Sequence, residues 1–332
     1  MTKNIWVFAE QANNDISSVA LELLGEATRI AKSTGDDTII SAILLGDNVS
    51  DCVQELIHYG ADKVFLANDK RLSYYSNETY SKIITTLAKE HKPDIFLIGS
   101  TAIGSGLAPT IAAQLETGLA AHCVELRINE EGQLVQVVPS FGGKVMGEIL
   151  CPNHRPQMAT IKSGVFEKNE EDKNRQGEVI DVDTNSILNN LKPRICPVSV
   201  KSVPHQGKPL ETAEVVVAGG WGIGSKEDWK LLEEFADLLG AAVGCTRPAV
   251  DEGWAPGEHL MIGTSGKTIK PKVYIGVGIS GATHHICGMK DSGIIISINN
   301  DSQAPIFQVS DIKIATDFKK VIPLLIKKIK CE

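Results

Sequence analysis

The sequence predicts an α/β protein made of two doubly wound parallel-sheet domains. Apolar strand-like runs alternate with amphipathic helical stretches over residues 5–115 and again from residue 213. This order is typical of parallel sheets covered by helices on both faces. The length of 332 residues is enough for two domains. Residues 201–212, which contain two prolines and a glycine, separate the two series and are the predicted linker.

The first domain, residues 1–200, begins with a regular alternation. Continuous apolar runs, which suit strands buried on both faces, predict strands at residues 5–9, 38–45, 63–67 and 94–99. Apolar residues at helical spacing predict a helix that Asp15 caps and that ends near residue 31, followed by helices at residues 49–59, 78–90 and 104–115.

The rest of the first domain has a different pattern. Four closely spaced β-like runs without intervening helices predict antiparallel strands at one edge of the same domain, at residues 119–127, 134–139, 144–151 and 157–162. Residues 167–176 are mostly charged and are predicted to form a mobile loop. Residues 180–200 are predicted to be a strand-bearing tail of this domain.

The second domain, residues 213–332, is predicted to be Rossmann-like. Ser225, with Asp228 three residues later, predicts a capped helix after a glycine-rich turn at residues 219–224. The closing helix is expected to begin at Asp317. Strands are predicted at residues 214–218, 241–246, 259–263, 273–277, 294–298, 305–309 and 312–315.

Glycines 276, 278 and 281 follow a predicted strand with the spacing G-x-G-x-x-G. In this position the spacing indicates a turn that binds a dinucleotide, because glycines let a phosphate approach main-chain N–H groups at a helix N-terminus. Asp301 lies where such folds often place a ribose ligand. The alternative is a turn that only packs a helix on a strand.

Ligands of doubly wound sheets bind beyond the carboxyl ends of the strands. The turns there carry Arg247 and His285 but no Ser–His–Asp order and no pair of carboxylates. This content argues against hydrolysis and favours a dinucleotide whose own ring performs the chemistry. Simpler roles are open: Arg247 as an ion-pair partner of Asp251, His285 as a surface or core histidine with a backbone partner, and Asp317 as a helix cap.

Composition excludes several classes of protein. The net charge of −8 argues against nucleic acid as a partner. There is no apolar run of transmembrane length and no signal-peptide pattern at the N-terminus. The seven cysteines are scattered without a C-x-x-C pair, so their spacing does not indicate an iron–sulfur or zinc site and fits a reducing, cytoplasmic location.

Both halves of the chain resemble the electron-transfer flavoprotein alpha-subunit family. The matching segments of the second half are the turn at residues 219–224, Cys-Thr-Arg-Pro-Ala-Val-Asp at 245–251, residues 263–267, the run from Tyr274 through Gly281 to His285, residues 298–301 with 304–307, and Asp317. Matches in the first half are residues 117–119, 139–143 and 155–158. The resemblance implies a heterodimer with a beta subunit and one FAD held mainly by the second domain.

The resemblance also implies a set of cofactor-binding residues, with Ser265 near flavin N5 and His285 near the pyrimidine carbonyl. Arg247 and a cationic His285 would favour negative charge on the ring. Trp221 stands where the family commonly has arginine, and Thr264 and His284 stand where it commonly has glutamine. The implied residues are Trp221, Thr246, Arg247, Ile262, Gly263, Thr264, Ser265, Ser280, Gly281, Ala282, Thr283, His284, His285, Asn299, Asp317 and Phe318.

The resemblance implies a redox carrier that exchanges electrons with an acyl-CoA dehydrogenase, and a stand-alone enzyme is not expected. Whether the complex bifurcates electrons, using NADH and ferredoxin through the partner subunit, stays open, as does whether that subunit holds a second FAD or AMP. The alternatives are a nicotinamide-dependent dehydrogenase that uses the turn at residues 276–281 and a nucleotide-sensing protein without redox work.

Overall fold

The computed structural model describes residues 4–34, 37–140, 145–195, 197–198, 200 and 208–331. The chain divides into two compact units, residues 1–200 and 201–332. Residues 201–207 of the predicted linker lie outside the described residues, and Leu210, near its other end, is buried in an apolar cluster of the second unit. Within the described ranges, no helix is both long and apolar enough to cross a membrane.

The first unit is built on a seven-stranded parallel sheet. The strands of this unit are β1 (Asn4–Phe8), β2 (Gln11–Ala12), β3 (Asp15–Ile16), β4 (Ile39–Gly46), β5 (Lys63–Asn68), β6 (Ile95–Gly99), β7 (Leu119–Cys123), β8 (Glu125–Ile128), β9 (Leu134–Ser140), β10 (Val145–Ile149), β11 (Gln157–Ile161) and β12 (Glu178–Asp181). The seven strands of the main sheet follow the spatial order β12-β5-β4-β1-β6-β11-β7.

Helices cover the sheet, and two separate apolar clusters form the core of this unit. Ile5 and Val7 belong to one cluster and Trp6 and Phe8 to the other, because successive side chains of a strand point to opposite faces. The doubly wound prediction is therefore confirmed. The helices are α1 (Ser18–Thr34), α2 (Cys52–His58), α3 (Asn77–His91), α4 (Ala102–Gln114) and α5 (Thr184–Leu188).

Two expectations for the first unit are wrong. Asp15 does not cap α1; it pairs with Ala12 in a short hairpin, and α1 begins at Ser18. The four β-like runs are not all antiparallel edge strands: β7 and β11 are parallel members of the main sheet, and only β8, β9 and β10 form a separate antiparallel sheet. A buried parallel strand and an antiparallel one give similar apolar runs, so their spacing did not separate the two kinds.

The charged segment at residues 167–176 is packed against the first unit. Asn169 Nδ2 donates hydrogen bonds to Thr28 Oγ1 and to the Tyr59 carbonyl, at 2.9 and 2.8 Å. Arg175 Nη2 lies 2.6 Å from Asp62 Oδ1. The segment leads into β12, which extends the main sheet beside β5. The expectation of a mobile loop missed these anchoring contacts.

The second unit contains a five-stranded parallel sheet in the order β14-β13-β15-β16-β17. Its strands are β13 (Val215–Gly219), β14 (Ala242–Cys245), β15 (Val273–Val277), β16 (Ile294–Asn299) and β17 (Ile312–Ala315), and its helices are α6 (Lys226–Leu238), α7 (Arg247–Asp251), α8 (Thr283–Ile286) and α9 (Phe318–Ile329). As predicted, Ser225 Oγ caps α6 by accepting a hydrogen bond from Asp228 N, at 3.0 Å.

Two short strands predicted in the second unit are wrong. Residues 259–263 begin in a 3₁₀ turn, Glu258–Leu260, and only Met261 and Ile262 make isolated bridges. Residues 305–309 also form a 3₁₀ turn, Pro305–Gln308. Both segments place apolar side chains in the core without pairing along a strand, so hydrophobicity alone does not distinguish them from strands.

Candidate functional site

The carboxyl ends of β13, β14 and β15 bring the glycine-rich turns of the second unit together. β13 lies between β14 and β15, so the chain leaves β13 toward one side of the sheet and later returns on the other side. Backbone hydrogen bonds join the turns: Gly220 N donates to the Val277 carbonyl, and Thr246 N donates to the Gly219 carbonyl. This reversal of strand order is the place where open α/β sheets bind ligands.

A cavity of about 140 Å³ opens at this point. Four of its lining residues were not predicted, because apolar side chains and backbone atoms in a cavity wall have no characteristic sequence pattern. They are Pro248, Met261, Gly266 and Ile279. Ten residues of the predicted set line the cavity, namely Trp221, Thr246, Arg247, Ile262, Gly263, Ser265, Ser280, Ala282, His284 and His285.

The other predicted residues do not line this cavity. Thr264, Gly281 and Thr283 are chain neighbours of lining residues. Asn299 Nδ2 donates to the Ile279 carbonyl at 2.8 Å and so braces the turn that carries Ser280. Asp317 caps α9 by accepting from Lys319 N at 2.9 Å.

Phe318 and Asp301 likewise have structural positions. Phe318 is buried in an apolar cluster of the second unit. Asp301, which the spacing after the glycine motif suggested as a ribose ligand, is exposed and accepts a hydrogen bond from Gln303 N at 2.9 Å. Asp301 therefore organises a turn and does not line the cavity.

The glycines of the G-x-G-x-x-G motif face protein atoms. A Cβ on Gly278, whose φ is +62°, would lie 2.8 Å from the Gly222 carbonyl carbon. A Cβ on Gly281, whose φ is +89°, would lie 2.1 Å from Ile306 N. The packing alternative is therefore sufficient to explain both residues. The helix α8 that follows is a single turn of four residues, so it contributes little of the helix dipole on which the phosphate argument relied.

Arg247 carries the permanent positive charge among the described lining residues. Its side chain is 68% exposed, and its Nε lies 3.5 Å from Asp251 Oδ2 one helical turn away. An exposed ion pair of this kind contributes about 0–1 kcal/mol. The guanidinium is thus held only weakly by Asp251, which was the alternative role predicted for it.

His285 is buried and neutral, so the expectation of a cationic imidazole is wrong for this structure. Burial lowers the pKa of His285 to about 4. Its Nδ1 lies 3.1 Å from the Ile262 carbonyl and its Nε2 lies 2.7 Å from the Tyr274 hydroxyl. The sequence correctly offered a buried histidine with a backbone partner as the alternative.

Thr246 lines the cavity and has a buried hydroxyl. Its Oγ1 is buried and has no hydrogen-bond partner within the described part of the chain. An unsatisfied buried hydroxyl costs roughly 1–3 kcal/mol, so a bound polar ligand that completes the hydrogen bond would recover that energy. A polar ligand bound in the cavity that Thr246 lines is one partner that would complete this hydrogen bond.

Of the three positions expected to depart from the family pattern, Trp221 and His284 line the cavity and Thr264 lies next to it in the chain. Thr264 and His284 contact each other: Thr264 N donates to the His284 carbonyl at 2.8 Å, and Thr264 Oγ1 lies 3.1 Å from His284 Nδ1. Trp221 is 65% exposed and lines the cavity from the turn after β13. An indole there adds apolar contact area but no charge.

A doubly wound sheet with a mostly apolar cavity that carries a few polar groups, placed at the reversal of strand order, defines the class of cofactor-binding α/β proteins. A family model described as "Electron transfer flavoprotein domain" matches residues 5–186, and one described as "Electron transfer flavoprotein FAD-binding domain" matches residues 209–290. The chain belongs to the electron transfer flavoprotein family, as an alpha-subunit homologue with a role in electron transfer.

Similar proteins include the electron transfer flavoprotein subunit alpha of Thermoanaerobacterium thermosaccharolyticum, which is 44% identical over 99% of this chain and 98% of its own length. The lactate dehydrogenase (NAD(+),ferredoxin) subunit LctC of Acetobacterium woodii is 36% identical over 98% of this chain and 76% of its own length. The acryloyl-CoA reductase electron transfer subunit beta of Anaerotignum propionicum is 35% identical over 99% of this chain and 96% of its own length. The predicted family resemblance is confirmed.

Proposed function

We propose that this chain binds FAD in the cavity of its second unit and works as the FAD-binding subunit of a heterodimer with an electron-transfer flavoprotein beta subunit. The observation that carries the proposal is the unsatisfied Thr246 hydroxyl beside Arg247 at the reversal of strand order. A cavity of about 140 Å³ is smaller than a typical ligand pocket of about 300–1,000 Å³. This unit would therefore enclose only part of the FAD.

FAD would supply the redox chemistry, and the residues of this chain would hold it and adjust its electrostatics. Met261, Ile262 and Ile279 provide apolar walls that exclude water. Thr246, Ser265 and Ser280 would offer hydroxyl groups to it. Nine other predicted residues would complete the site from the cavity wall or from positions outside it, namely Gly263, Thr264, Gly281, Ala282, Thr283, His284, Asn299, Asp317 and Phe318.

We propose an acyl-CoA dehydrogenase as the electron-exchange partner, in the cytoplasm. A second candidate function is electron bifurcation, in which the complex would use NADH and ferredoxin through its partner. The names of two relatives favour this candidate, since one includes NAD(+) and ferredoxin and the other includes an acryloyl-CoA reductase. Both candidate functions need the same FAD in the second unit.

The test is to purify this chain together with its beta subunit, record the flavin absorbance, and count the flavins per heterodimer. We expect at least one FAD per heterodimer, and a second one in a bifurcating complex. Titration with NADH and ferredoxin then separates the two candidates. A colourless complex that binds NAD, or one that binds adenine nucleotides alone, and that takes up no FAD would overturn the proposal.

Replacing Arg247 with alanine is expected to lower the midpoint potential of the bound flavin. The guanidinium favours added negative charge on the ring, and a tenfold change in a one-electron equilibrium corresponds to about 59 mV. We expect a drop of about 60 mV, measured by spectroelectrochemistry on the heterodimer. Lys230→Ala, which removes an exposed cation from α6, is the control. Equal potentials in wild type and Arg247→Ala would remove Arg247 from the flavin site.

A further inference from the structure

A buried hydrogen-bonded chain joins strand β15 to the wall of the cavity through His285. The Ile262 carbonyl can only accept a hydrogen bond, so Nδ1 of His285 carries the proton that it donates there. Nε2 is then an acceptor, and the Tyr274 hydroxyl donates to it across 2.7 Å. Tyr274 is completely buried and His285 is 6% exposed, so this bonding takes place away from water.

The last member of this series of hydrogen bonds, the Ile262 carbonyl, belongs to the site. Ile262 begins the segment 262–266, which contributes Ile262, Gly263, Ser265 and Gly266 to the cavity wall. The Ile262 N–H donates a hydrogen bond to the Cys245 carbonyl, so the imidazole supplies the second polar contact of the Ile262 backbone. Together the two bonds fix where the wall begins relative to the sheet.

The first glycine of the motif makes room for this chain of bonds. Residues 274 and 276 point to the same face of β15, because side chains alternate along a strand. A Cβ on Gly276 would lie 3.1 Å from Tyr274 Cε1 and 3.5 Å from its hydroxyl oxygen. The phenol occupies the space that a side chain at residue 276 would need.

We propose that Tyr274 is a positioning residue: its hydroxyl holds His285 as the neutral Nδ1–H tautomer, and the imidazole in turn holds the segment 262–266 against the bound cofactor. The effect on the cofactor rests on the proposed function, whereas the tautomer does not. Because both ring nitrogens are engaged within the protein, His285 gives the site its shape, and the positive charge comes from Arg247.

Tyr274→Phe tests this proposal because it keeps the ring and removes only the hydroxyl. Nitrogen-15 NMR of histidine-labelled full-length protein reports the protonation of each ring nitrogen, with and without FAD. In the wild type we expect a protonated Nδ1 and an unprotonated, hydrogen-bonded Nε2 for His285. In Tyr274→Phe the Nε2 signal should move to the position of a nitrogen without a donor, and FAD should bind about tenfold more weakly, as for one lost hydrogen bond.

The matched control is Tyr80→Phe, which removes a buried hydroxyl bonded to the Leu72 carbonyl in the first unit. It should leave both the His285 signals and FAD affinity unchanged. A wild-type Nε2 that carries the proton, or an Nε2 signal that is the same in Tyr274→Phe, would overturn the proposal. If the wild type takes up no FAD, the proposed function fails while the NMR result still decides the tautomer. If Tyr274→Phe does not fold, the wild-type signals decide it alone.

Discussion

Replacing Gly281 with alanine is expected to destabilise the second unit by roughly 2–5 kcal/mol. A left-handed backbone costs an alanine roughly 1–2 kcal/mol, and forcing a methyl group into packed surroundings costs roughly 1–3 kcal/mol more. At Gly281, φ is +89° and the new Cβ would lie 2.1 Å from Ile306 N. Because that neighbour is backbone, it cannot move away as a flexible side chain would.

Urea unfolding followed by tryptophan fluorescence measures this change, since three of the four tryptophans (Trp221, Trp229 and Trp254) belong to the second unit. The control is Gly253→Ala, where φ is +71° but no atom lies within 4 Å of the new Cβ. This control should cost only the roughly 1–2 kcal/mol of backbone strain. Equal losses at the two positions would show that Ile306 gives way and that the contact is unimportant.

The second unit is expected to lose about 3 kcal/mol of stability as the pH falls from 6.5 to 4, because of His285. Burial lowers the pKa of His285 in the folded chain to about 4, from a model value of 6.5. Between these values the unfolded chain binds a proton that the folded chain does not bind. The stability is therefore complete above pH 6.5 and is lost as the pH decreases through this range.

Urea midpoints of the full chain at a series of pH values measure the effect. His285→Gln, which cannot be protonated, should flatten the slope between pH 6.5 and 4. His154→Gln removes an exposed histidine of the first unit and should keep the wild-type slope. The hydrogen bonds from Lys319 and Ser225 lower the pKa of Asp228 below 3.8. The stability that this carboxylate contributes is therefore lost at lower pH than the stability lost through His285. A slope unchanged in His285→Gln would contradict this assignment.

The sequence was sufficient for the alternation of strands and helices, because period and length report burial directly. It failed where two structures share one pattern. The apolar runs that became β7 and β11 resemble those that became β9 and β10, but the first pair joins the parallel sheet. Pairing partners are distant in the chain, and periodicity has no information about them.

The site was predictable where residues follow strands directly. Thr246 and Arg247 come immediately after β14, and Trp221 comes just after β13, so the rule for strand ends places them together. The charge of His285 was not predictable from the sequence, because it depends on the burial of the ring. The need for glycine at residue 276 was also not predictable, because the ring of Tyr274 occupies the space that a side chain would need there.

The contact between Thr264 and His284 limits how this protein can be altered. The two positions lie twenty residues apart, yet a hydroxyl–imidazole contact and a backbone hydrogen bond join them. A chimera that takes residue 264 from one relative and residue 284 from another would break a matched pair. Grafting experiments between homologues should therefore exchange residues 264 and 284 together.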